Sequence, residues 1–452
     1  DDGYGLNRAN LEALHQEMNL LISCDCGISN AAEVAWLKER GIDTIIIDHH
    51  ELPESLPEAV ATVHPMHQQA DYAWSYLCGA GTAWKVASAL LRDKRAGQAA
   101  NGDAEKWLLD LAALGTLADM VPLTGENRAI ATFGLEIIRR TRRPGLAALL
   151  AAGRAEPSQV TSDDVAFNVI PVLNAAGRLD HPQPALELLL TQDADRAATL
   201  TKELTSLNNR RRTLTKKIVS EAEAQVNGDP VIFAYDSRWP AGIVGLAAGR
   251  LADRFGRPAV VVGGNGSAAV GSARSPAGTN ILELLRQAEP VLTKLGGHAQ
   301  AAGFSLTEAN VDGLRAALAE ADVAPVDEAT AVSGRADAIV NHNLLTSDTA
   351  HLLESFAPFG EGNKRPLFAV PNLALIEARA VGSKQEHAKL TFDTGSTQLD
   401  GIAFGLAEQV SKIAQAEVDV LGELVEDEWR GRRRLQLQVR DIVPAGSVKL
   451  MA

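Results

Sequence analysis

Apolar residues fall along this chain in short runs that end at charged side chains. The run NLLISCD (19–25) stops at Asp25. GISNAAEVAWLKERG follows, with apolar residues at helical spacing, a cap at Ser29 or Asn30 and a stop at Gly41. The next run, DTIIIDHH (43–50), is apolar until Asp48, His49 and His50. Strand, helix and strand within about 30 residues predict a βαβ unit whose parallel strands are buried on both faces. In such sheets ligands gather at the carboxyl ends of the strands, and Asp25 and Asp48 each stand at one.

Farther on, residues 105–140 read as largely helical, with Asp119 where the first helix gives way to MVPLTGENR. The stretch VIPVLNAAGRLDHPQPALELLL is expected to break twice, at Pro and at Gly. From Asp193 to Val226 there is neither Pro nor Gly. That predicts a helix about 50 Å long, and a helix so long and polar usually spans between domains. A second α/β region opens at DPVIFAYD. The acidic segment Glu320–Thr330 reads as a linker, and short alternating strands after it predict a small antiparallel β-barrel of OB type. The fold class is therefore α/β, with a parallel-sheet domain (1–190), a connector helix (191–227), a second α/β domain (228–325) and an OB-type barrel (330–452).

The length, 452 residues, fits several domains. Only 4 % of residues are aromatic, so stacking surfaces are scarce. No apolar run reaches the roughly 18–20 residues of a membrane span, and no membrane partner is expected. Three cysteines are too few for a disulfide framework, so a reducing cytoplasm is the expected setting, with Cys24 and Cys26 as small core residues on one strand face. The net charge of −14 excludes a protein coated in nucleic acid, but not a local groove. Five basic residues do cluster in Asn208–Lys217 and five more in Arg430–Arg440. The first residue is Asp, and DDGYGLNRAN reads like the interior of a domain, as in a fragment or processed product.

Asp25, Asp48, His49, His50 and Asp119 form the strongest chemical constellation. Carboxylates and imidazoles together favour Mn²⁺, Mg²⁺ or Zn²⁺, and the lack of cysteine pairs disfavours structural zinc. Two such ions about 3.5–4 Å apart can generate hydroxide and clamp a phosphoryl group. Either aspartate alone could simply cap a turn. The weight comes from the whole set.

IIIDHHE, CDCGIS and LGTLADMVPL resemble motifs of the DHH phosphoesterase family. LNAAGR (173–178), GSARS (271–275), GGHAQAAGFSL (296–306) and FAPFGEGNKRPLF (356–368) extend the resemblance to its RecJ-type single-strand-DNA exonucleases, over nearly the whole chain. The resemblance implies a DHH domain, a DHHA1 domain and an OB-type domain. It implies that Asp25 bridges two Mn²⁺ or Mg²⁺ ions, that His49 and Asp119 ligate one of them, and that Asp48 orients His49. It assigns His50 to the scissile phosphate, and Arg178, Ser272, Arg274 and His298 to phosphates of DNA and its 5′ end. The substrate would be single-stranded DNA, held in a narrow positive channel between the two α/β regions and degraded 5′ to 3′ in repair and recombination. A single-strand-binding protein and a helicase are the partners it implies, and the chain is expected to be a monomer.

Departures sharpen these expectations. The family's first Asp-x-Asp motif is absent, which implies a truncated chain that holds one metal and is inactive as it stands. Pro240 replaces a histidine, which puts one phosphate contact in doubt. His64 stands where Asn is expected before Pro65, and His64 and His67 read as surface residues. Two other readings remain at this point. One is a DHH hydrolase of short oligonucleotides, cyclic dinucleotides or pyrophosphate, which the barrel argues against. The other is an inactive DNA-binding relative, which the intact aspartates and histidines argue against.

Overall fold

The two apolar runs do form a βαβ unit. The computed structural model describes residues 5–67, 72–93, 103–154, 156–265, 268–276, 278–323, 336–413, 417–429 and 432–446. Asp1–Tyr4, most of the acidic linker, and Arg430 of the second basic run lie outside them. The chain divides into two compact units, one of residues 2–137, 161–163 and 333–452, the other mainly of residues 138–160 and 164–332.

In the first unit, β1 (Leu20–Cys24), β2 (Asp43–Ile47) and β3 (Ala61–Val63) make a parallel sheet in that order. The register sets Cys24 opposite Ile47 and Ile47 opposite Val63, so the strands finish level. β2, in the centre, carries buried Ile46 and Ile47 as predicted. β1 does not follow the expectation of two buried faces. Among the described residues it lies at the sheet's edge, with Leu20, Ile22 and Cys24 exposed on one face. Cys24 is thus no core residue. Nor does it share a strand face with Cys26, because β1 ends at Cys24 and Asp25 turns the backbone into the left-handed region (φ 64°). Cys78 is the buried cysteine, and all three are free. Asn30 sits at the helix start, but its side chain bonds the backbone of Leu6 and makes no capping bond to the helix Ala31–Lys38.

The second unit contains the long helix, Ala194–Glu223. It is no free-standing spacer. A buried stripe runs along it through Ala197, Leu200 and Leu204 and again through Thr215, Ile218 and Ala222, and the spacing of three and four residues within each set is that of one packed helix face. Gly177 does not break the chain. The helix Ile170–Leu179 runs through it, and the break comes at Asp180–Pro182. β4 (Ile232–Asp236), β5 (Ala259–Asn265), β6 (Ala268–Arg274), β7 (Leu292–His298) and β8 (Ala301–Thr307) form a sheet of order β4-β5-β6-β8-β7. Apolar clusters cover both its faces, one built around the helix Ala241–Phe255.

Back in the first unit, β9 (Ala338–Ile339), β10 (Phe368–Val381), β11 (His387–Asp393), β12 (Gln398–Ala403), β13 (Glu417–Trp429) and β14 (Arg432–Pro444) form the predicted OB-type sheet. β11 pairs back to β10, which completes a circuit of pairings around Phe392, Val370 and Leu437. It is not wholly antiparallel, since β12 runs parallel to β14. The basic run at the start of β14 lies in register with acidic residues, Arg433 opposite Glu428 and Arg434 opposite Asp427. No helix among the described residues is long and apolar enough to cross a membrane.

Candidate active site

The carboxyl ends of β1 and β2 bring four of the singled-out residues together. The Asp25 amide donates to the Ile47 carbonyl (2.9 Å), which carries the ladder one residue past β1. Gly27, at φ 113°, then reverses the chain where a side chain would strike Ser23. That returns the Ile28 amide to Asp48 Oδ2 (3.0 Å). Asp48 Oδ1 accepts the amides of His49 (2.8 Å) and His50 (3.3 Å) and contacts His50 Nδ1 at 2.6 Å. Asp48 therefore orients the ring of His50, not that of His49 as the resemblance implied. These hydrogen bonds outweigh the cost of burial and hold the Asp48 carboxyl below its usual pKa. Asp48→Asn is expected to lower stability by about 2–3 kcal/mol, the scale of hydrogen bonds to a charged group. The urea midpoint of unfolding checks this, and an unchanged midpoint would refute it.

His49 Nε2 lies 3.1 Å from Asp25 Oδ1 and 3.6 Å from Asp119 Oδ2. Asp119 ends the helix Leu109–Ala118, with its amide bonded to Gly115 O. That helix crosses the helix Gly79–Arg92 closely, since a side-chain carbon on Gly115 would fall 2.3 Å from Ala80 Cβ. One on Gly79 would fall 2.1 Å from Asp25 Oδ1. Glycine at both positions lets the three ligand candidates converge. Cys78 serves here too, accepting the Gly81 amide at the start of its helix.

Asp48 is 1 % exposed and His49 14 %, while Asp25 is 62 % and Asp119 43 % exposed, so the carboxylate edge opens to solvent. Burial pulls the His49 pKa down, but Asp25 and Asp119 outweigh it and leave it raised. Burial raises Asp119 as well. His49 Nε2 is buried, and its near neighbours in the site are carboxylate oxygens. One imidazole nitrogen facing two carboxylates is a donor set that fits a divalent cation. His50 offers a further donor, its ring lying with Asp25 and His49 in a group whose ligand atoms are within 4.8 Å of one another.

His64 is not a surface residue, being 4 % exposed. Its Nδ1 accepts the Met66 amide (3.1 Å), so Nε2 carries the proton and donates to the His50 carbonyl (2.8 Å). The ring thus does what an Asn in an Asx turn would do, accepting two residues ahead while donating elsewhere.

The second unit holds a separate cluster. Ser272 and Arg274 alternate on β6 and face the helix Ala241–Phe255 at Gly245, where a side-chain carbon would lie 3.0 Å from Ser272 Oγ. Arg274 Nη1 donates to Ser272 Oγ at 2.8 Å. Arg178 ends its helix against Gly242, where such a carbon would be 2.0 Å from the Arg178 carbonyl. Burial, then the charge of Arg178, lowers the pKa of Arg274. Burial followed by Arg178, Arg212 and Arg250 lowers that of Arg211. Arg178 Nε and Arg211 Nε are buried without hydrogen-bond partners, as is Asn208 Oδ1. A cationic cluster with unmet donors is suited to an anion. His298 lies on the same sheet, its register passing through Ala301 to Arg274 across two strand spacings, about 10 Å. Pro240, by contrast, stands at the start of the helix Ala241–Phe255 with extended backbone.

From the sequence, Arg211 stood only as one of the basic run Arg210–Arg212, Lys216 and Lys217, a solvated face or a DNA-tracking surface, and Asn208 was not singled out. The signal was present. Both fall on the packed stripe of the long helix, between Leu204 and Thr215, whereas Arg210, Arg212, Lys216 and Lys217 are exposed.

Comparison with known proteins agrees with this geometry. The model of the DHH family N-terminal domain matches residues 4–116, that of the DHHA1 domain residues 228–322 and that of the RecJ OB domain residues 336–441. The single-stranded-DNA-specific exonuclease RecJ of Dickeya dadantii is 34 % identical over 469 residues, covering 98 % of this chain and 81 % of that protein. The chain belongs to the RecJ family. The RecJ exonuclease of Bacillus subtilis is 36 % identical over 456 residues, 97 % of this chain but 56 % of its own length. The crystal structure of RecJ in complex with Mn²⁺ from Thermus thermophilus superposes with a TM-score of 0.82 at 31 % identity, covering 98 % of this chain and 64 % of that one. The chain therefore spans little more than half of the Bacillus RecJ and under two thirds of the Thermus RecJ chain.

Proposed function

We propose that this chain carries the catalytic and DNA-binding core of a 5′-to-3′ exonuclease specific for single-stranded DNA. The observation that carries the reading is His49 Nε2, buried and placed between the carboxylates of Asp25 and Asp119 at 3.1 and 3.6 Å, in a chain of the RecJ family. Asp25, His49 and Asp119 are the proposed ligands of Mn²⁺ or Mg²⁺. A bound cation would supply Lewis-acid polarisation of the phosphodiester and a more acidic water. The chain's own groups do the rest. Asp48 fixes the ring of His50, which we assign to the scissile phosphate. Arg178, Ser272, Arg274 and Arg211 bind backbone phosphates, with His298 on the same sheet, and the OB-type sheet holds the strand beyond. The proposed domain limits are 1–190, 191–227, 228–325 and 330–452.

The deciding experiment follows mononucleotide release from 5′-phosphorylated single strands with Mn²⁺ or Mg²⁺, using this chain and a version extended to the length of its relatives. Release from long strands in preference to dinucleotides supports the reading. Intact strands in both versions, with DNA binding retained, would replace it with a non-catalytic binding protein. A cytoplasmic monomer working with a single-strand-binding protein and a helicase is proposed from the free cysteines and the single-stranded substrate. Sedimentation and co-purification test that part.

A further inference from the structure

The FAPFGEGNKRPLF segment has no role in the account above, yet it packs directly on the residues that follow Asp119. Leaving the helix Leu109–Ala118 at Asp119, the chain enters the left-handed region at Met120 (φ 55°) and reaches buried Leu123 in four residues. Two attachments hold this short segment. Asn127 Nδ2 donates to the Pro122 carbonyl (3.1 Å), and the Leu123 amide donates to the Glu361 carbonyl (2.7 Å). A buried amide needs a partner, and Leu123 finds its partner 238 residues later in the chain, in the loop that leads into β10.

The loop is stiff in itself. Gly360 and Asn363 exchange both backbone hydrogen bonds, 3.0 and 3.2 Å, and Asn363 Nδ2 donates to the carbonyls of Phe356 (2.9 Å) and Pro358 (2.8 Å). Arg128 Nη2, from the helix after Leu123, bonds the Phe356 carbonyl at 2.7 Å. The loop meets the Leu123 side chain at Gly360, where an added carbon would lie 2.7 Å from Cδ1, and meets the rigid Pro122 at Gly362. Its φ is 70°, and a side-chain carbon there would meet Pro122 Cβ at 2.9 Å and Pro122 Cα at 3.2 Å. The loop thus presses backbone against the segment whose first residue is Asp119.

We propose that the loop Phe356–Asn363 is a positioning element for the metal ligand Asp119, with Gly362 as its contact residue. This rests on Asp119 being a metal ligand, as proposed above. A methyl group at Gly362 drives Pro122 and Leu123 away and pulls Asp119 from the place where His49 Nε2 faces it. Supports of this kind typically change metal affinity by about 10–100-fold.

The test is Mn²⁺ binding by calorimetry on the metal-free chain, for the wild type, Gly362→Ala and Gly405→Ala. Gly405 has the same left-handed backbone (φ 76°) with nothing within 4 Å of an added carbon, so it isolates backbone strain from the contact. Gly362→Ala is expected to weaken Mn²⁺ about tenfold, while Gly405→Ala leaves it unchanged and both bind single-stranded DNA in EDTA like the wild type. Equal Mn²⁺ affinity in all three overturns the proposal and leaves the metal site standing. A wild type that binds no Mn²⁺ overturns both. Should Gly362→Ala fail to fold, Arg128→Met removes the loop's anchor without a clash, and unchanged Mn²⁺ affinity in that variant is equally fatal.

Discussion

His49→Ala is expected to slow nucleotide release by about 10³-fold or more, the rate equivalent of the several kcal/mol that a catalytic cation supplies. His49 contributes the one nitrogen that lies between Asp25 and Asp119, at 3.1 and 3.6 Å. Without it two carboxylates face each other across an open edge, and a cation held by them alone is less confined in position and number of ligands. Single-turnover cleavage and a Mn²⁺ isotherm on the same preparation make the comparison. Activity within about tenfold of wild type, roughly 1.4 kcal/mol, would remove His49 from the proposed ligand set. His50→Ala provides the contrast, since its Nδ1 is held by Asp48. The rate should fall there with smaller change in Mn²⁺ affinity.

The second large effect is expected in the second unit. Arg178→Ala should weaken binding of a 5′-phosphorylated strand about 10- to 100-fold, from the roughly 1.5–3 kcal/mol of a charge-assisted bond. Arg211→Ala should do the same, whereas Arg210→Ala, on the exposed face one residue away, should do far less. The logarithmic salt dependence of binding should flatten by about one unit for each lost phosphate contact. A second readout separates function from packing. Burial lowers the pKa of all three arginines, Arg178, Arg211 and Arg274, and the charge of Arg178 lowers Arg211 and Arg274 further, which means that Arg178 repels both in the absence of an anion. Removing Arg178, or Arg211 which it repels, should leave the melting temperature of the DNA-free chain unchanged or higher. A fall in both stability and binding would mark Arg211 as a structural residue.

How much of this was legible depends on the range of the interaction. The βαβ unit and the aspartates at its strand ends follow from short-range periodicity, and the structure keeps them, whereas Ser272 and Arg274 were marked only by the resemblance. β1 shows where periodicity stops. Among the described residues Leu20 and Ile22 are exposed, which its run of apolar residues could not reveal, because exposure depends on which strands pair. Asp48 and His50 are two residues apart, yet their pairing depends on how the chain turns past Ile47, which composition does not encode. Arg211 was legible in principle from helical phase and was masked by four basic neighbours. The loop at Gly362 was visible as a motif but silent as to role, since its partner Pro122 is 240 residues away.

An imidazole so close to the proposed metal site is a hazard as well as a resource. His64 sits one hydrogen bond from His50, and burial keeps its pKa low, so that at neutral pH it is in the uncharged form that binds transition metals best. A ring of that kind could draw the cation off its ligands into an unproductive chelate. Both of its nitrogens are committed, one to the Met66 amide and one to the His50 carbonyl. The same two bonds that shape the turn therefore insulate the centre from a competing ligand of its own making.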